Sequence, residues 1–398
     1  MVTTATLVTL VVATLASLFM AWSIGAGSSG STPFAPAVGA NAISVMRAGF
    51  VVGVLGLSGA VLQGANVTEA VGTELVVGSV LTATASTVAL IVAAALVAIG
   101  VFAGYPIATA FTVTGAVVGV GLANGGGPAV TKYRQIASLW VLTPFVGGGI
   151  AYATARFLRN DSVPERVAVP ALAGVVGLLV ANIQFAILGG DGGRSVGEVA
   201  ATTTPPIAVP VLGVDLGVIV VSALFVLGAF GAVRRDILVD PARGQRRFLL
   251  VLGGLVAFSA GGSQVGLAIG PLVPLLDSVT VPLPALLVGG GLGLLVGSWT
   301  GAPRMIKAIS QDYSSLGPRR SIAAMIPAFA IAQTAVALGI PVSFNEIIVS
   351  AIIGSGYAAG GAGVSREKMG KTVLAWAGSL ALAFGVSYVA FLGVDAAL

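Results

Sequence analysis

The sequence predicts an all-α polytopic membrane protein with two inverted-topology repeats, re-entrant or discontinuous helices and about 10–12 transmembrane segments. Three observations lead to this fold class. Of the 398 residues, 57% are hydrophobic and only 8% are charged, whereas a soluble domain carries roughly a quarter charged residues. Many apolar runs are long enough to cross a bilayer, and a set of motifs recurs in the same order in both halves of the chain.

Composition also excludes several classes of protein. The chain contains no histidine and no cysteine, which rules out histidine acid–base catalysis, thiol nucleophiles, disulfides and zinc sites with their usual ligands. The net charge of +5 is thinly spread and lacks interleaved aromatic residues, so we expect no nucleic-acid partner. We therefore predict a protein that is not an enzyme, carries no cofactor and is embedded in the lipid bilayer.

Apolar runs of spanning length alternate with short loops along the chain. They lie at about 2–24, 43–62, 77–103, 136–157, 165–188, 206–232, 248–267, 279–298, 320–339 and 372–392. Four further apolar segments are interrupted by glycine and proline, near 26–42, 105–123, 259–276 and 341–358. Backbone that is not helical at membrane depth persists only where protein or a water-filled cavity surrounds it. These four segments predict re-entrant or discontinuous helices in a multi-pass protein of the cell membrane.

Basic residues in short loops indicate the orientation. The loop from Arg234 to Arg247 holds five arginines, and Arg156, Arg159 and Arg166 surround the loop two spans earlier. Loops rich in lysine and arginine stay in the cytoplasm, so both loops are predicted to be cytoplasmic. The chain then divides into a first transport repeat (1–160), middle spans with a basic cytoplasmic linker (161–247) and a second transport repeat (248–398).

The internal repeat is the most informative feature of the sequence. Gly30–Ser44 matches Gly261–Pro274, Tyr105–Ala123 matches Ile340–Ala358, and a basic stretch then leads to Trp140 or to Trp376. Pro106 lies 34 residues before Trp140, and Pro341 lies 35 residues before Trp376. Chance similarity among segments rich in Ala, Gly and Val is the alternative, but the common order and spacing disfavour it. Interrupted helices at matching positions of two repeats are typical of secondary transporters.

Hydroxyl and amide side chains in the interrupted segments are the candidate substrate ligands. A break frees backbone N–H groups at a positive helix end, and these can hold an anion together with hydroxyls and amides. The candidates are Ser31, Thr32, Thr109, Thr112, Ser263, Gln264, Ser343 and Asn345. For each of them the alternative is a helix cap or a hydrogen bond to the carbonyl four residues earlier.

Carboxylates within membrane segments are the candidate ion-coupling groups, because burying a charge there costs several kcal/mol. Glu346 lies in the second-half interruption beside Asn345, and Glu69 and Glu74 lie in the segment Gly64–Val77. The alternative for Glu346 is an ion pair with a loop cation that only stabilises the fold.

At these motifs the chain resembles the inorganic phosphate transporter (PiT) family, which also contains sulfate permeases. The family's repeated signature, approximately GANDVANAVGT, falls on Gly30–Ala40 and on Gly261–Pro271. Its second element, PVSTTHxIxGAIIGVGLA, falls on Pro106–Ala123 and on Pro341–Ala358. A third pair of similar segments is Gly64–Val77 with Gly301–Leu316. The resemblance implies an inverted-repeat fold, a homodimer and ion-coupled uptake of a tetrahedral oxyanion.

The chain departs from the family where the family is charged. The signature's Asn-Asp pair is replaced by Thr32-Pro33 in one half and by Ser263-Gln264 in the other. Both aspartates that help to bind sodium in the family are therefore missing, and Glu346 is the candidate to carry a proton in their place.

Together these features predict a secondary transporter that moves inorganic phosphate by alternating access, coupled to H⁺ or Na⁺. A sulfate permease of the same family is the nearest alternative, and an anion channel or a non-transporting membrane sensor is the alternative of another class. Phosphate is favoured because at neutral pH it still donates a hydrogen bond, which an ionised Glu346 would accept, whereas sulfate has no proton to donate.

Overall fold

The structure, a computed structural model, describes residues 4–78, 81–189, 193–202, 208–209, 214–278, 281–361 and 364–397. Sixteen α-helices make up most of these residues. They are α1 (Thr4–Ile24), α2 (Ala35–Gly39), α3 (Val45–Gln63), α4 (Ala65–Thr73), α5 (Ala83–Ala103), α6 (Thr109–Ala123), α7 (Val130–Leu158), α8 (Glu165–Ala181), α9 (Val196–Ala201), α10 (Leu216–Val239), α11 (Pro241–Ile269), α12 (Leu283–Thr300), α13 (Ala302–Asp312), α14 (Pro318–Ala337), α15 (Phe344–Tyr357) and α16 (Arg366–Asp395).

Strands are confined to three short antiparallel pairs in the described chain. They are β1 (Val76–Val77) with β2 (Gly127–Pro128), β3 (Gln184–Phe185) with β4 (Arg194–Ser195), and β5 (Ala208–Val209) with β6 (Val214–Asp215). Each strand of these pairs is only two residues long.

Nine helices within the described ranges are long and apolar enough to cross a membrane: α1, α3, α5, α7, α10, α11, α12, α14 and α16. Helix α6 is a shorter apolar helix of 15 residues. Large apolar side chains such as Phe145 on α7 and Leu374 on α16 are each 74% exposed, as expected of surfaces that face acyl chains. The prediction of an all-α polytopic membrane protein is confirmed.

The order of elements in the first half recurs in the second. Helices α1, α5, α6 and α7 correspond to α11, α14, α15 and α16, and the pair α3–α4 corresponds to α12–α13. Gly64 joins α3 to α4, and Gly301 joins α12 to α13 in the same way. The expected repeat is therefore visible in the element order, while the inverted sense of its second copy stays a prediction at this point.

The two halves exchange partners in packing. Helix α6 of the first half packs against α16 of the second, and α15 packs against α7. Trp140 Nε1 donates a hydrogen bond to the Pro341 carbonyl at 2.9 Å, and Trp376 Nε1 donates to the Pro106 carbonyl at 2.8 Å. Each tryptophan found by its spacing thus hydrogen-bonds to the non-helical linker that precedes α15 or α6 in the opposite half.

Close backbone contact explains the glycines of α3 and α11. A Cβ atom on Gly261 would lie 1.9 Å from the Gly56 carbonyl oxygen, and one on Gly59 would lie 1.8 Å from that of Phe258. Small residues at such a crossing let two membrane helices pack without side chains between them.

The interruptions differ from expectation in one segment. Residues 105–108 and 340–343 are non-helical linkers that lead into α6 and α15, as predicted. In segment 26–42, a π-helical turn (Gly25–Ser29) and further turns separate α1 from α2. In segment 259–276, however, α11 continues unbroken to Ile269 and passes into a 3₁₀ stretch, Gly270–Ser278. Ser263 and Gln264 therefore lie inside a helix, because the glycines around them serve close packing rather than a break.

The proposed division of the chain into three parts stays a prediction, and only one of its two boundaries falls between helices. The boundary at 160/161 falls between α7 and α8, whereas the boundary at 247/248 falls inside α11. Helix α11, which corresponds to α1, begins at Pro241, seven residues before residue 248.

Candidate functional site

A buried polar cluster joins the two halves at the centre of the described chain. Thr109, the first residue of α6, donates from Oγ1 to Gln264 Oε1 at 2.7 Å. Ser28, in the π-helical turn after α1, donates to the same oxygen at 3.3 Å. Gln264 Nε2 donates to the Val342 carbonyl at 2.7 Å. A single carboxamide on α11 thus connects both first-half interruptions to the linker of the second half.

Asn345 makes the complementary connection from α15. Its Nδ2 donates to the Gly27 carbonyl at 2.9 Å and to the Ile107 carbonyl at 2.6 Å. Because both donors of the amide are used, the orientation of the side chain is fixed and Oδ1 points away from these carbonyls. Asn345 is 1% exposed, so this connection is fully removed from solvent.

Three buried polar atoms at the start of α15 have no hydrogen-bond partner. They are Ser343 Oγ, Asn345 Oδ1 and Glu346 Oε2. Buried polar atoms are paired in the great majority of cases, so three orphaned atoms within four residues indicate a place where a ligand or an ion supplies the missing bonds. The free N–H groups of the first turn of α15 lie beside them, since no side chain caps this helix.

Glu346 also borders a cavity of about 850 Å³ between α7, α15 and α16. The cavity is largely apolar, and Phe111, Trp140 and Trp376 lie in its wall. Phe111 and Trp140 are stacked with their ring centroids 3.9 Å apart. Glu346 is the one Asp, Glu, Lys or Arg side chain that is buried in the described part of the chain.

Four sequence candidates are occupied by local hydrogen bonds. Thr32 Oγ1 and Thr112 Oγ1 each donate to the carbonyl four residues earlier, at 2.9 Å, and Ser31 Oγ donates to the Ser28 carbonyl at 3.2 Å. Ser263 Oγ accepts from Gln264 Nε2 at 3.5 Å. Ser31, Thr32 and Thr112 thus make the backbone hydrogen bonds of the alternative, and a direct ligand role for them stays a prediction.

Glu69 and Glu74 do not join the cluster. Both are exposed, and Glu74, which follows α4, forms an ion pair with Lys132 at 2.5 Å. Neither side chain has the burial on which the ion-coupling hypothesis depends, and that role stays a prediction for both. Glu346 alone of the three carboxylates lies in the buried core.

Comparison with known proteins places the chain in a family. The sequence profile described as the phosphate transporter family matches residues 24–387. The chain belongs to the phosphate transporter family. It is 26% identical over 387 residues to a predicted phosphate permease of Thermococcus kodakarensis, covering 90% of each chain. It is also 26% identical over 417 residues to inorganic phosphate transporter 2-1 (chloroplastic) of Arabidopsis thaliana, covering 91% of this chain and 68% of that one.

A solved structure supports the fold. The structure titled the sodium-dependent phosphate transporter matches with a TM-score of 0.80 and 23% identity, covering 98% of this chain and 100% of that chain. The two proteins therefore share a fold. Together with the nine apolar helices of the described chain, this shared fold establishes a multi-pass membrane protein.

Ser28 is the site residue that the repeat alignment misplaced. Alignment of Gly30 with Gly261 set Thr32-Pro33 opposite Ser263-Gln264, but in the structure Ser28 is the residue that meets Gln264. Spacing carried the signal: Ser28 lies 112 residues before Trp140, and Gln264 lies 112 residues before Trp376. At the centre of this family member, a serine and a glutamine therefore face each other.

Proposed function

We propose that this family member moves inorganic phosphate across the membrane by alternating access, coupled to an ion. The observation that carries the proposal is the buried cluster in which Ser28 and Thr109 of one half meet Gln264 and Asn345 of the other. A site built from both halves changes its exposure when the halves move relative to each other, as alternating access requires.

The unpartnered oxygen of Asn345 favours phosphate over sulfate. Asn345 Oδ1 can only accept a hydrogen bond, and Gln264 Oε1 already accepts two. A ligand that pairs Asn345 Oδ1 must therefore bring a hydrogen-bond donor. Hydrogen phosphate carries one O–H at neutral pH and sulfate carries none, so phosphate can pair this oxygen and sulfate leaves it unpaired at a cost of about 1–3 kcal/mol.

The same residues favour a proton over sodium as the coupling ion. The family's two signature aspartates are absent, and the residues that meet at the centre are neutral. Glu346 is the buried carboxyl next to the cluster, and protonation removes the cost of its charge in the closed state. Glu346 therefore takes up a proton when phosphate is bound and releases it when the site opens. We expect the transporter to be a homodimer, as the resemblance implies.

Flux measurements in liposomes test this function against its alternatives. The purified protein is reconstituted, and uptake of labelled phosphate and labelled sulfate is measured over a range of concentrations. We expect saturable phosphate uptake that a tenfold excess of unlabelled phosphate suppresses and a tenfold excess of sulfate does not. One unpaired acceptor should make phosphate about 10 to 100 times more effective than sulfate as a substrate. Preferential sulfate uptake would show that the protein is a sulfate permease. Conductance that does not saturate would show that it is an anion channel, and the absence of any flux would favour a membrane sensor.

A further inference from the structure

Two ion pairs occupy equivalent positions in the two repeats. Lys132, in the first turn of α7, pairs with Glu74 at 2.5 Å, and Lys368, in the first turn of α16, pairs with Asp312 at 3.2 Å. Each lysine precedes the paired tryptophan of its helix by eight residues. The exposure is also alike, because the lysine side chains are 11% and 18% exposed and their acidic partners are 50% and 44% exposed.

Each lysine also holds the linker of the opposite half. Lys132 Nζ donates to the Gly339 carbonyl and Lys368 Nζ donates to the Gly104 carbonyl, both at 3.4 Å. These glycines have φ of 60° and 72°, the left-handed conformation that ends a helix and redirects the chain. Residues beyond them lead within five positions to α15 and α6, the helices that begin at the polar cluster.

A tyrosine strengthens each contact. Tyr133 donates to the Leu75 carbonyl at 2.6 Å, so α7 is bound to the end of α4 twice. Tyr313 Oη lies 2.7 Å from Thr372 Oγ1, which itself donates to the Lys368 carbonyl, so the phenol is the donor. Burial raises the pKa of the Tyr313 phenol, which keeps its proton available for this bond.

The two ion pairs lie at opposite ends of the helix bundle. Helix α5 begins shortly after Glu74 and ends at Gly104, which Lys368 contacts; its 21 residues span about 30 Å. Helix α14 begins shortly after Asp312 and ends beside Gly339, which Lys132 contacts. The equivalent helices α5 and α14 thus run in opposite directions between the same two ends, which is the relation expected of inverted repeats.

We propose that Lys132 with Glu74 and Lys368 with Asp312 are two equivalent gates, one at each membrane face, and that transport opens them in turn. This inference rests on the proposed function. A gate that opens releases the linker of the opposite half and exposes the start of α15 or α6 to that face. Both pairs are closed in this structure, which matches a buried site. Partly exposed ion pairs are weak, so each can break and re-form during a transport cycle.

Charge-removing variants with a cysteine reporter test the gates directly. The natural chain has no cysteine, so Val342→Cys, behind the Lys132 gate, and Ala108→Cys, behind the Lys368 gate, are single reactive sites with fully buried side chains. We expect Glu74→Gln to raise the rate at which a water-soluble maleimide labels position 342 by about two- to fivefold and to lower labelling at position 108. Asp312→Asn should do the reverse, and restoring the first pair in swapped form (Glu74→Lys with Lys132→Glu) should return the labelling towards the unmodified rates.

The pair Glu367–Lys371 provides the matched control. It has the same 2.5 Å separation as the Lys132 pair, but it joins neighbouring turns of α16 and bridges no second element. Glu367→Gln should leave labelling at both positions unchanged. Equal labelling in Glu74→Gln, Asp312→Asn and the control would overturn the proposal and leave both pairs as static contacts.

Cross-linking tests whether opening is required for transport. Cysteines replacing Glu74 and Lys132, joined by a cleavable bifunctional thiosulfonate, should abolish phosphate uptake, and dithiothreitol should restore it. The Asp312 and Lys368 pair should behave alike. Full uptake with either gate joined would overturn the proposal. Labelling needs no flux, so a protein that takes up no phosphate but shows the reciprocal labelling would refute the proposed function and keep the gates.

Discussion

At the scale of single residues, a variant of Glu346 can distinguish proton coupling from phosphate binding. Its Oε2 is buried without a partner, and it borders the cavity between α7 and α16. Glu346→Gln keeps the size of the side chain and removes its ability to release a proton. We expect phosphate still to bind and exchange across the membrane, while an inward proton gradient no longer accelerates uptake; the measurement is uptake at a series of imposed pH gradients.

The exposed Glu367 is the control for that change. Glu367→Gln alters the same functional group on a surface, where the side chain is 78% exposed and paired with Lys371. Its uptake should keep the dependence on the pH gradient seen in the unmodified protein. If Glu346→Gln keeps that dependence as well, Glu346 has no part in coupling.

Replacing Gln264 tests whether a carboxylate at this position makes the protein respond to sodium. Gln264→Asp places a carboxylate at the centre of a fully buried cluster and removes the amide that donates to Val342. An isolated buried charge is strongly unfavourable, so a bound cation that neutralises it becomes stabilising. We expect phosphate uptake and thermal stability of this variant to rise with sodium. Gln264→Asn, shortened but neutral, should show no sodium response, and the same indifference in Gln264→Asp would contradict the assignment.

At the scale of elements, the crossing of α3 and α11 depends on glycine. A Cβ on Gly261 would lie 1.9 Å from the Gly56 carbonyl oxygen, whereas a Cβ on Gly289 of α12 meets nothing within 4 Å. Gly261→Val should therefore destabilise the protein by about 1–3 kcal/mol or more, because the helices must separate. Gly289→Val should leave the midpoint of thermal unfolding in detergent nearly unchanged, and equal midpoints for the two variants would contradict the packing.

Elements were more predictable from the sequence than individual ligands. The pairs Pro106–Trp140 and Pro341–Trp376 were found by spacing, and both tryptophans hydrogen-bond to these prolines across the halves. The first interruption was misaligned because its Gly- and Ser-rich residues resemble one another in several registers. The spacing to the tryptophans and the contact with Gln264 both select Ser28. Gln264 was expected at a break and lies in a continuous helix, because glycine marks both helix breaks and close helix contacts.

At the scale of the whole molecule, the low content of charged residues (8%) has two consequences. It allows nine helices of the described chain to contact lipid, and it leaves Glu346 as the buried charged residue of that part. Most other charges lie near helix ends, where they form the two matched ion pairs and the basic loops. The repeated order of elements could be predicted from the sequence because motifs recur. The ion pairs could not, since Glu74 and Lys132 are brought together only by the fold.

Proton-driven phosphate uptake without sodium tests the central claim most directly. Proteoliposomes in sodium-free buffer receive an inward proton gradient, and the accumulation of labelled phosphate is compared with that under an inward sodium gradient at equal pH. We predict saturable accumulation above the external concentration with the proton gradient alone and no added effect of sodium. Accumulation that occurs only with the sodium gradient would contradict the assignment of the neutral Ser28–Gln264 centre and of Glu346 as the coupling group.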